Sequence, residues 1–555
     1  MIQNKKIMIY AITLLVALSG CTKLNENLND TLTYQQYADV LGPAGPGLLL
    51  KTAYADLTGP FGDVGQLINL TGNTTDESLV ATRAGDWDDN GAWRVMHNHT
   101  WNADLGSLLN TFNSFNKINF DATNVLGFNP SPAQAAQARF LRAYSLYNLL
   151  DFFGQFPIRN PGDTLLNAPR VFAGAAASAF IIGELNSVLA TMPAANANIN
   201  YSATADAAKF LLMRCYLNKG AFANRATPTF SDADMQQVIT LGGSIMSSGR
   251  YSYTPNFFDN FSADNQSKTK EAIWAYDNTG GVAANNMDVR SFWYRTLHYN
   301  SYDPKAPNAG WNGFSTIAEF YNTFAVNGAT ATQNPADTLL DGRIGGRFKS
   351  GVTDVPGSGL RPGLLIGQQF DDVGNKKHYR GWAPADGPNA KLLSFNPVLA
   401  SNMIETVPGL LEATGIRVLK YSPDFANYDG SGGNDVIIFR YPDVVLMVAE
   451  AKMRAAAPDN AGAMAMVNAL RSARGAPALT SMTLAAATNY APNSLLAERG
   501  RELYWEWVRR TDLIRFGTFL RPWPYKPADD PKYLLFPIPS QALAANPNLT
   551  QNPGY

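Results

Sequence analysis

Apolar residues follow the spacing of amphipathic helices over much of the chain, and the clearest example lies between positions 131 and 154. Ser131 followed by Pro132 is a typical helix start, and Gly154 is a typical helix stop. Between them apolar side chains recur at intervals of four, four and three residues. These are Ala136, Phe140, Tyr144 and Tyr147. The spacing predicts one long helix with these side chains on its buried face.

Four further segments show the same helical spacing. They are 204–220, 231–249, a segment that opens at Pro442 and a segment that opens at 458–460. Paired helices with small and aromatic residues at their contacts are typical of tetratricopeptide-like stacks, although the strict consensus of that repeat is absent here. The pattern therefore predicts a mainly α fold in which tetratricopeptide-like helix pairs form a scaffold.

The stretch between about 250 and 435 has a different pattern, because Gly, Asn, Asp and Pro interrupt it almost every ten residues. The apolar runs that remain are short, and 272–276 and 436–440 predict strands. A long irregular stretch inside a compact domain commonly carries ligand contacts. We therefore expect long irregular loops with a few short strands to elaborate the helical scaffold.

The N-terminus has the pattern of a lipoprotein signal peptide. Lys5 and Lys6 precede an apolar run over 7–18, which is too short to span a bilayer at about 1.5 Å per residue. The segment 18–21, Leu-Ser-Gly-Cys, resembles a bacterial lipobox, which predicts a signal peptide over 1–20 and a lipid on Cys21. The alternative is an ordinary signal peptide with a chance cysteine.

The remaining chain, 21–555, is predicted to be a single body. We divide it into an N-terminal helical part (22–250), a loop-rich region that faces the ligand (251–435), and C-terminal helices with a tail (436–555). Cys215 is the second of two cysteines and lies in an apolar run, so we expect it to be a core residue without a disulfide.

Composition argues against a nucleic-acid partner. The 44 Lys and Arg balance 45 Asp and Glu, so the chain has no basic excess for phosphate contacts. Charged residues are 16% of the chain, against about 25% in an average soluble domain. Aromatic residues are 11%. A surface with little charge and many aromatic rings favours neutral polar ligands.

A cluster of aromatic and charged residues between 83 and 101 is the first candidate site. Three of the ten tryptophans lie within 15 residues here, among Gly, Asp and Asn. An indole face can stack on the C–H groups of a sugar ring, while Arg and Asp bind its hydroxyls. The candidate ligand-binding residues are Arg83, Asp86, Trp87, Trp93 and Trp101. The alternative is that these tryptophans anchor an irregular loop.

A second cluster lies in the loop-rich region and contains Trp293, Tyr294, Tyr299 and Trp311. It could supply the other side of an aromatic arc, and we name Trp293, Tyr294 and Trp311 as candidate ligand-binding residues. The alternative is buried packing.

Metal and catalytic motifs give no positive signal. His97 and His99 could face the same way on a strand, but no third ligand follows at a recognisable spacing, so no metal site is predicted. No cofactor is predicted either; the acidic residues of 86–89 leave Ca²⁺ as an alternative, without the spacing of a hand-type loop. Glu502 and Glu506 would share a helix face at i, i+4, where they and the neighbouring arginines read as structural ion pairs rather than as a catalytic pair.

Four ordered segments resemble the conserved motifs of the SusD/RagB family of outer-membrane lipoproteins. They are 138–144 continuing to 153–157, then 439–451, then 498–503 continuing to 512–515, and the C-terminal tail with 536–539 and 546–555. Together with the lipobox, this resemblance covers essentially the whole chain. Gly500 departs from it, because family members commonly have a charged residue there.

The resemblance implies a binding protein and not an enzyme. Such proteins are lipid-anchored in the outer membrane, face the exterior, and capture oligosaccharides or polysaccharides for a partner SusC-like TonB-dependent transporter. Capture of peptides or another nutrient is the alternative, and a surface glycoside hydrolase is the second alternative. The family binds its ligands through variable loops outside the motifs, so the resemblance assigns no ligand residue.

Overall fold

The computed structural model describes residues 39–163, 167–197, 199–284, 286–301, 310–324, 341–345, 362–371, 374–382, 384–389, 391–423, 432–485 and 491–555. The predicted signal peptide and Cys21 lie outside these residues. From Pro46 to Tyr555 the chain forms one compact unit, and the residues before Pro46 belong to a separate one. No helix among the described residues is long and apolar enough to cross a membrane.

Helices dominate the described part of the chain, which contains sixteen of them. They are α1 Gly45–Ala55, α2 Thr58–Gly62, α3 Ala92–His97, α4 Gly106–Gly127, α5 Pro132–Phe153, α6 Gly174–Val188, α7 Ala205–Ala223, α8 Asp232–Met246, α9 Asn265–Lys268, α10 Ser291–Tyr294, α11 Ala318–Asn322, α12 Tyr441–Arg454, α13 Asn460–Ala473, α14 Leu495–Leu503, α15 Arg509–Arg515 and α16 Ser540–Ala545.

The predicted helix starts at Ser131, Thr204 and Ser231 and the stop at Gly154 are confirmed, whereas α7 continues beyond 220 to Ala223 and α8 ends at Met246, before 249. Ser131 forms a capping box with Gln134 at the start of α5, and Gly154 ends the helix in the left-handed region at φ 73°. Thr204 and Ser231 cap α7 and α8 in the same way, each by accepting a hydrogen bond from a backbone N–H three residues on.

Consecutive helices pack side by side, from α4 through α5, α6, α7 and α8, then on to α12 and α13. Gly242 of α8 allows a close approach, because a Cβ atom there would collide with Val448 of α12 and with Met213 of α7. Cys215 is buried in the same stack. The arrangement confirms the predicted mainly α scaffold.

Strands are short and pair two by two. They are β1 Leu79–Val80, β2 Thr82–Arg83, β3 Gln155–Ile158, β4 Arg170–Ala173, β5 Ala272–Tyr276, β6 Phe314–Ser315, β7 Gly363–Leu365, β8 Gly367–Gln368, β9 Ser394–Phe395, β10 Ile404–Glu405, β11 Arg417–Leu419 and β12 Val436–Arg440. The two predicted strands, β5 and β12, form one antiparallel pair. Trp274 of β5 packs edge-on against Phe140 of α5, with the ring centroids 5.0 Å apart, which fixes the pair on the helical stack.

Buried ion pairs hold α14 against the rest of the body. The side chain of Glu502 bonds to Arg343, Arg440 and Arg474, and all four side chains are almost fully buried. The predicted structural role of Glu502 and Glu506 is therefore confirmed. The prediction that they share a helix face is wrong, because α14 ends at Leu503 and Glu506 lies beyond it.

Gly500, which the sequence left unexplained, has a steric reason. A Cβ atom at this position would lie 3.0 Å from Nη1 of Arg509 and 3.3 Å from Cε2 of Phe320. The helix therefore tolerates glycine here because the arginine of the next helix occupies the space that a side chain would need.

Candidate functional site

The structure brings four of the predicted residues together on one side of the loop region. Trp87 lies at the centre, with its ring centroid 5.1 Å from Trp93 and 6.4 Å from Trp311. Trp311 in turn packs edge-on against Tyr294 at 5.6 Å. Tyr294 is only 9% exposed and belongs to the core, which contradicts its predicted role in ligand binding. We call Trp87, Trp93 and Trp311 the aromatic surface.

A tight turn after β2 positions Trp87. β2 pairs in parallel with β10, and the chain then reverses through Gly85, at φ 106°. Trp87 itself has φ 60°, a conformation that is costly for a bulky side chain and persists where the surroundings impose it. The surroundings here include a hydrogen bond from Nε1 of Trp87 to the carbonyl oxygen of Trp311, at 2.7 Å. This bond ties the two predicted clusters together.

Phe314 forms the floor beneath the tryptophans. Its buried ring lies 5.5 Å from Trp87 and 5.6 Å from Trp93, edge-on to both. Gly313 precedes it, and a Cβ atom at Gly313 would collide with the indole ring of Trp87. Nε1 of Trp93 donates to Asp89 at 2.6 Å, as Nε1 of Trp87 donates to the carbonyl oxygen of Trp311. Both indole N–H groups therefore have hydrogen-bond partners within the protein. What these two rings offer to a ligand is therefore their apolar faces.

Polar side chains border the aromatic surface. The hydroxyl of Tyr299 donates to Asp86, which is exposed beside Trp87. Burial and this hydrogen bond raise the pKa of Tyr299 to about 12. The guanidinium carbon of Arg380 lies 3.9 Å from the centroid of the Tyr299 ring, a cation–π contact. The border thus presents a carboxylate and a guanidinium next to the exposed rings.

Glu412 and His298 hold this border from beneath. Glu412 accepts from the backbone N–H of Arg380 at 3.0 Å and from Nε2 of His298 at 2.7 Å. Burial alone would raise the pKa of Glu412, but these two bonds outweigh it and the pKa is lowered. Burial lowers the pKa of His298 to about 4, so this histidine is neutral at pH 7 and makes a hydrogen bond, not an ion pair.

Two predicted tryptophans are core residues, and their burial contradicts the prediction that they bind ligand. Trp101 is 4% exposed, and its Nε1 donates to the hydroxyl of Tyr555 at 2.8 Å. Trp293 is 0% exposed within the loop region. Their indole faces are covered by protein, so no ligand can stack on them. For these two positions the alternatives of loop anchoring and buried packing are correct.

Arg83 also lies beneath the surface, which contradicts its predicted ligand role. Its Nη2 donates to the carbonyl oxygen of Thr414 at 2.8 Å and its Nη1 to that of Leu411 at 3.1 Å. Burial lowers the pKa of Arg83 to about 10. The side chain therefore fixes the 411–414 loop from inside.

Two exposed residues near the border were missed by sequence reasoning, namely Arg380 and Trp382. Trp382 is 36% exposed, close to the 38% of Trp311. Neither residue belongs to a tryptophan cluster in the sequence, and about 80 residues separate them from Tyr299. Composition offered a weak signal, because any tryptophan in a loop-rich region of a chain with few charges is a candidate.

The histidine pair is bound to protein groups. His97 and His99 contact backbone carbonyl oxygens, and Nδ1 of His99 lies 2.6 Å from Oδ2 of Asp529. Among the described residues there is no group of three or more His, Cys, Asp or Glu side chains that could hold a metal ion.

Comparisons with known proteins agree with this architecture. A sequence model described as the SusD family matches residues 270–530. Starch-binding protein SusD of Bacteroides thetaiotaomicron is 24% identical to the chain over 447 residues, which are 76% of this chain and 73% of that protein. The chain is similar to the SusD family over the matched part, which is just under half of its length. Two of the four motif segments, 439–451 and 498–503 with 512–515, lie inside the matched residues, while the first segment and the C-terminal tail lie outside them.

Solved structures show the SusD-like fold along nearly the whole chain. A SusD superfamily protein from Parabacteroides distasonis superposes with a TM-score of 0.63 at 17% identity, covering 95% of this chain and all of that one. Surface glycan-binding protein A from Bacteroides thetaiotaomicron, solved in complex with laminarihexaose, gives 0.64 at 16% identity, covering 92% and 99%. The family match includes Trp311 and Arg380, whereas Trp87 and Trp93 precede it. The aromatic surface thus joins a segment inside the match to one before it.

Proposed function

We propose that this SusD-like chain binds a glycan on the aromatic surface. The observation that carries the proposal is the rigid seating of Trp87 and Trp93, whose N–H groups bond to protein acceptors while their side chains stay partly exposed. Such rings favour the apolar C–H face of a sugar, and they lose little conformational freedom on binding because they are already fixed.

The border supplies the polar half of the recognition. Sugar hydroxyls both donate and accept hydrogen bonds, so a carboxylate at Asp86 and a guanidinium at Arg380 can each bind them. Both side chains are exposed, and Tyr299 holds both of them: its hydroxyl donates to Asp86 and its ring contacts the guanidinium of Arg380. Apolar faces beside preorganised polar groups are the usual composition of a small-molecule site.

Relatives support the ligand class. One is named a starch-binding protein, and another was solved with laminarihexaose, so both names concern chains of sugar units. We extend the proposal to the cellular role: a lipid on Cys21 anchors the protein at the outer surface of the outer membrane, and the bound glycan passes to a partner TonB-dependent transporter. The protein itself leaves the glycan uncleaved.

A binding screen of the soluble chain without its first 21 residues tests the proposal. We would measure retention of the protein in gels that contain laminarin, starch and other plant, algal and bacterial polysaccharides, and its binding to arrayed peptide pools. Retention by at least one polysaccharide, without binding to peptides, is the expected result. Binding to peptides alone would contradict the glycan proposal and favour the alternative nutrient. Appearance of reducing ends during long incubation would contradict the absence of cleavage.

A further inference from the structure

Trp382 stands apart from the aromatic surface and has no role in the site described so far. It lies in the hairpin whose arms are 377–379 and 391–393, joined by hydrogen bonds such as the one from the N–H of Tyr379 to the carbonyl oxygen of Lys391, at 2.9 Å. The backbone N–H of Trp382 donates to the carbonyl oxygen of Tyr379 at 3.1 Å. Trp382 therefore lies in a hydrogen-bonded turn.

The ring of Trp382 is covered only in part. It is 36% exposed, and the ammonium of Lys391 lies 5.1 Å from its centroid. Single exposed apolar side chains are common on protein surfaces, so exposure alone would mean little. What distinguishes Trp382 is its neighbour two residues before it, because Arg380 is a border residue of the aromatic surface.

A continuous path of contacts connects the two places. Trp87 adjoins Asp86, which accepts from Tyr299, and Arg380 stacks on that tyrosine ring at 3.9 Å. Arg380 and Trp382 then belong to the same turn, within about 7 Å of each other along the backbone. Asp86 and Arg380 are exposed along this path.

We propose that Trp382 is a second contact for the same glycan chain, so that the site selects a polymer over a short oligosaccharide. This inference rests on the proposed function. A chain long enough to reach from Trp311 past Arg380 to Trp382 makes two linked contacts, and the second then forms at high effective concentration. A short oligosaccharide occupies the aromatic surface alone and gains nothing from Trp382.

Preorganisation makes this second contact effective. The backbone of Arg380 is fixed by Glu412, and its guanidinium by the Tyr299 ring, so the turn loses little freedom when a ligand binds. An intervening sugar unit would meet the guanidinium of Arg380, which can donate to hydroxyls between the two aromatic contacts.

Titration calorimetry with laminarin and with its purified oligosaccharides, graded by length, tests the inference. If the screen selects another polysaccharide, its size-fractionated partial hydrolysate takes their place. The variants are Trp382→Ala and Trp311→Ala, with Phe120→Ala as the matched control. Phe120 is an exposed aromatic residue on α4, outside the site.

We expect Trp382→Ala to weaken binding of the long chains by about threefold or more and to leave the short oligosaccharides unchanged. Trp311→Ala should weaken both, and Phe120→Ala neither. Equal affinity of Trp382→Ala and the unchanged protein for every length would overturn the inference while the loss in Trp311→Ala upholds the proposed function. No loss in Trp311→Ala would instead overturn the proposed function.

Discussion

Two regions of this protein are rich in arginine and aromatic rings, and they use them in opposite ways. Around α14 the guanidinium of Arg440 bonds to Glu271, Glu502 and Glu506, and these side chains are buried. At the aromatic surface, Arg380 is exposed and rests on the ring of Tyr299. The first region satisfies every one of these charges within the protein, whereas the second leaves polar groups open to a ligand.

The difference explains why the family motifs and the proposed ligand site lie apart. Arg440, Glu498 and Glu502 belong to the motifs by which the sequence resembles the family, and all three are buried in ion pairs. Such residues are constrained by the fold and carry no information about the ligand. The exposed rings are free of that constraint, which is why the family resemblance assigned none of them.

The largest expected effect comes from breaking the buried region. Arg440→Met leaves Glu502 and Glu506 without this partner, and removing one member of a buried pair costs about 3–5 kcal/mol. We expect the free energy of unfolding in urea to fall by that amount. The control is Lys268→Met, which removes the exposed pair with Asp264 and should cost about 0.5 kcal/mol or less. Similar losses of unfolding free energy in both variants would contradict the difference between buried and exposed ion pairs.

The two regions should also differ in the pH at which they lose stability. The pKa of His298 is about 4 in the folded protein against 6.5 when free, so the unfolded state binds more protons between these values. Stability is therefore lost as pH falls from 6.5 to 4. Glu450 belongs to the buried network, where burial raises its pKa but the arginine contacts lower it more, from 4.5 to about 2. The stability that Glu450 contributes is therefore lost only below about pH 4.5.

The variant His298→Gln isolates the first of these windows. Unfolding free energies measured between pH 7 and 4 should depend less on pH in the variant, with a difference of up to about 3 kcal/mol across the window. Glutamine can still donate to Glu412, so the border should remain in place. An unchanged pH dependence would mean that His298 is protonated in the folded state without cost.

The smallest expected effect concerns the polar border. Asp86→Ala removes the acceptor for Tyr299 and one polar contact for a ligand, so we expect glycan affinity to fall by about 1 kcal/mol. Asp86→Asn keeps an acceptor oxygen and should fall less. Asp104→Ala, at another exposed position, serves as the control in the same titrations. Equal affinities for all three variants would remove Asp86 from the site.

The fold was largely predictable because its signals are local. Ser131, Pro132 and Gly154 mark one helix completely, and the runs of β5 and β12 are visible as apolar segments. Each of these signals depends on neighbours within a few residues. The signal peptide and the lipid on Cys21 remain predictions, because these residues lie outside the described part of the chain.

The site was predictable only in part because burial is a tertiary property. Trp87 and Trp101 look alike in the sequence, but Trp87 is partly exposed and Trp101 is packed in the core. Arg380 reaches the border only because the turn that carries it packs against Tyr299. No spacing in the sequence encodes that contact.

Calorimetric titration of Trp311→Ala with the polysaccharide that the screen selects tests whether the aromatic surface binds the glycan. Trp311 is exposed and its ring only borders the core. The free energy of unfolding in urea should therefore change by less than about 1 kcal/mol in the variant. We predict that affinity falls by about tenfold or more, which corresponds to about 1.4 kcal/mol. A folded Trp311→Ala variant that binds the polysaccharide as tightly as the unchanged protein would contradict the account.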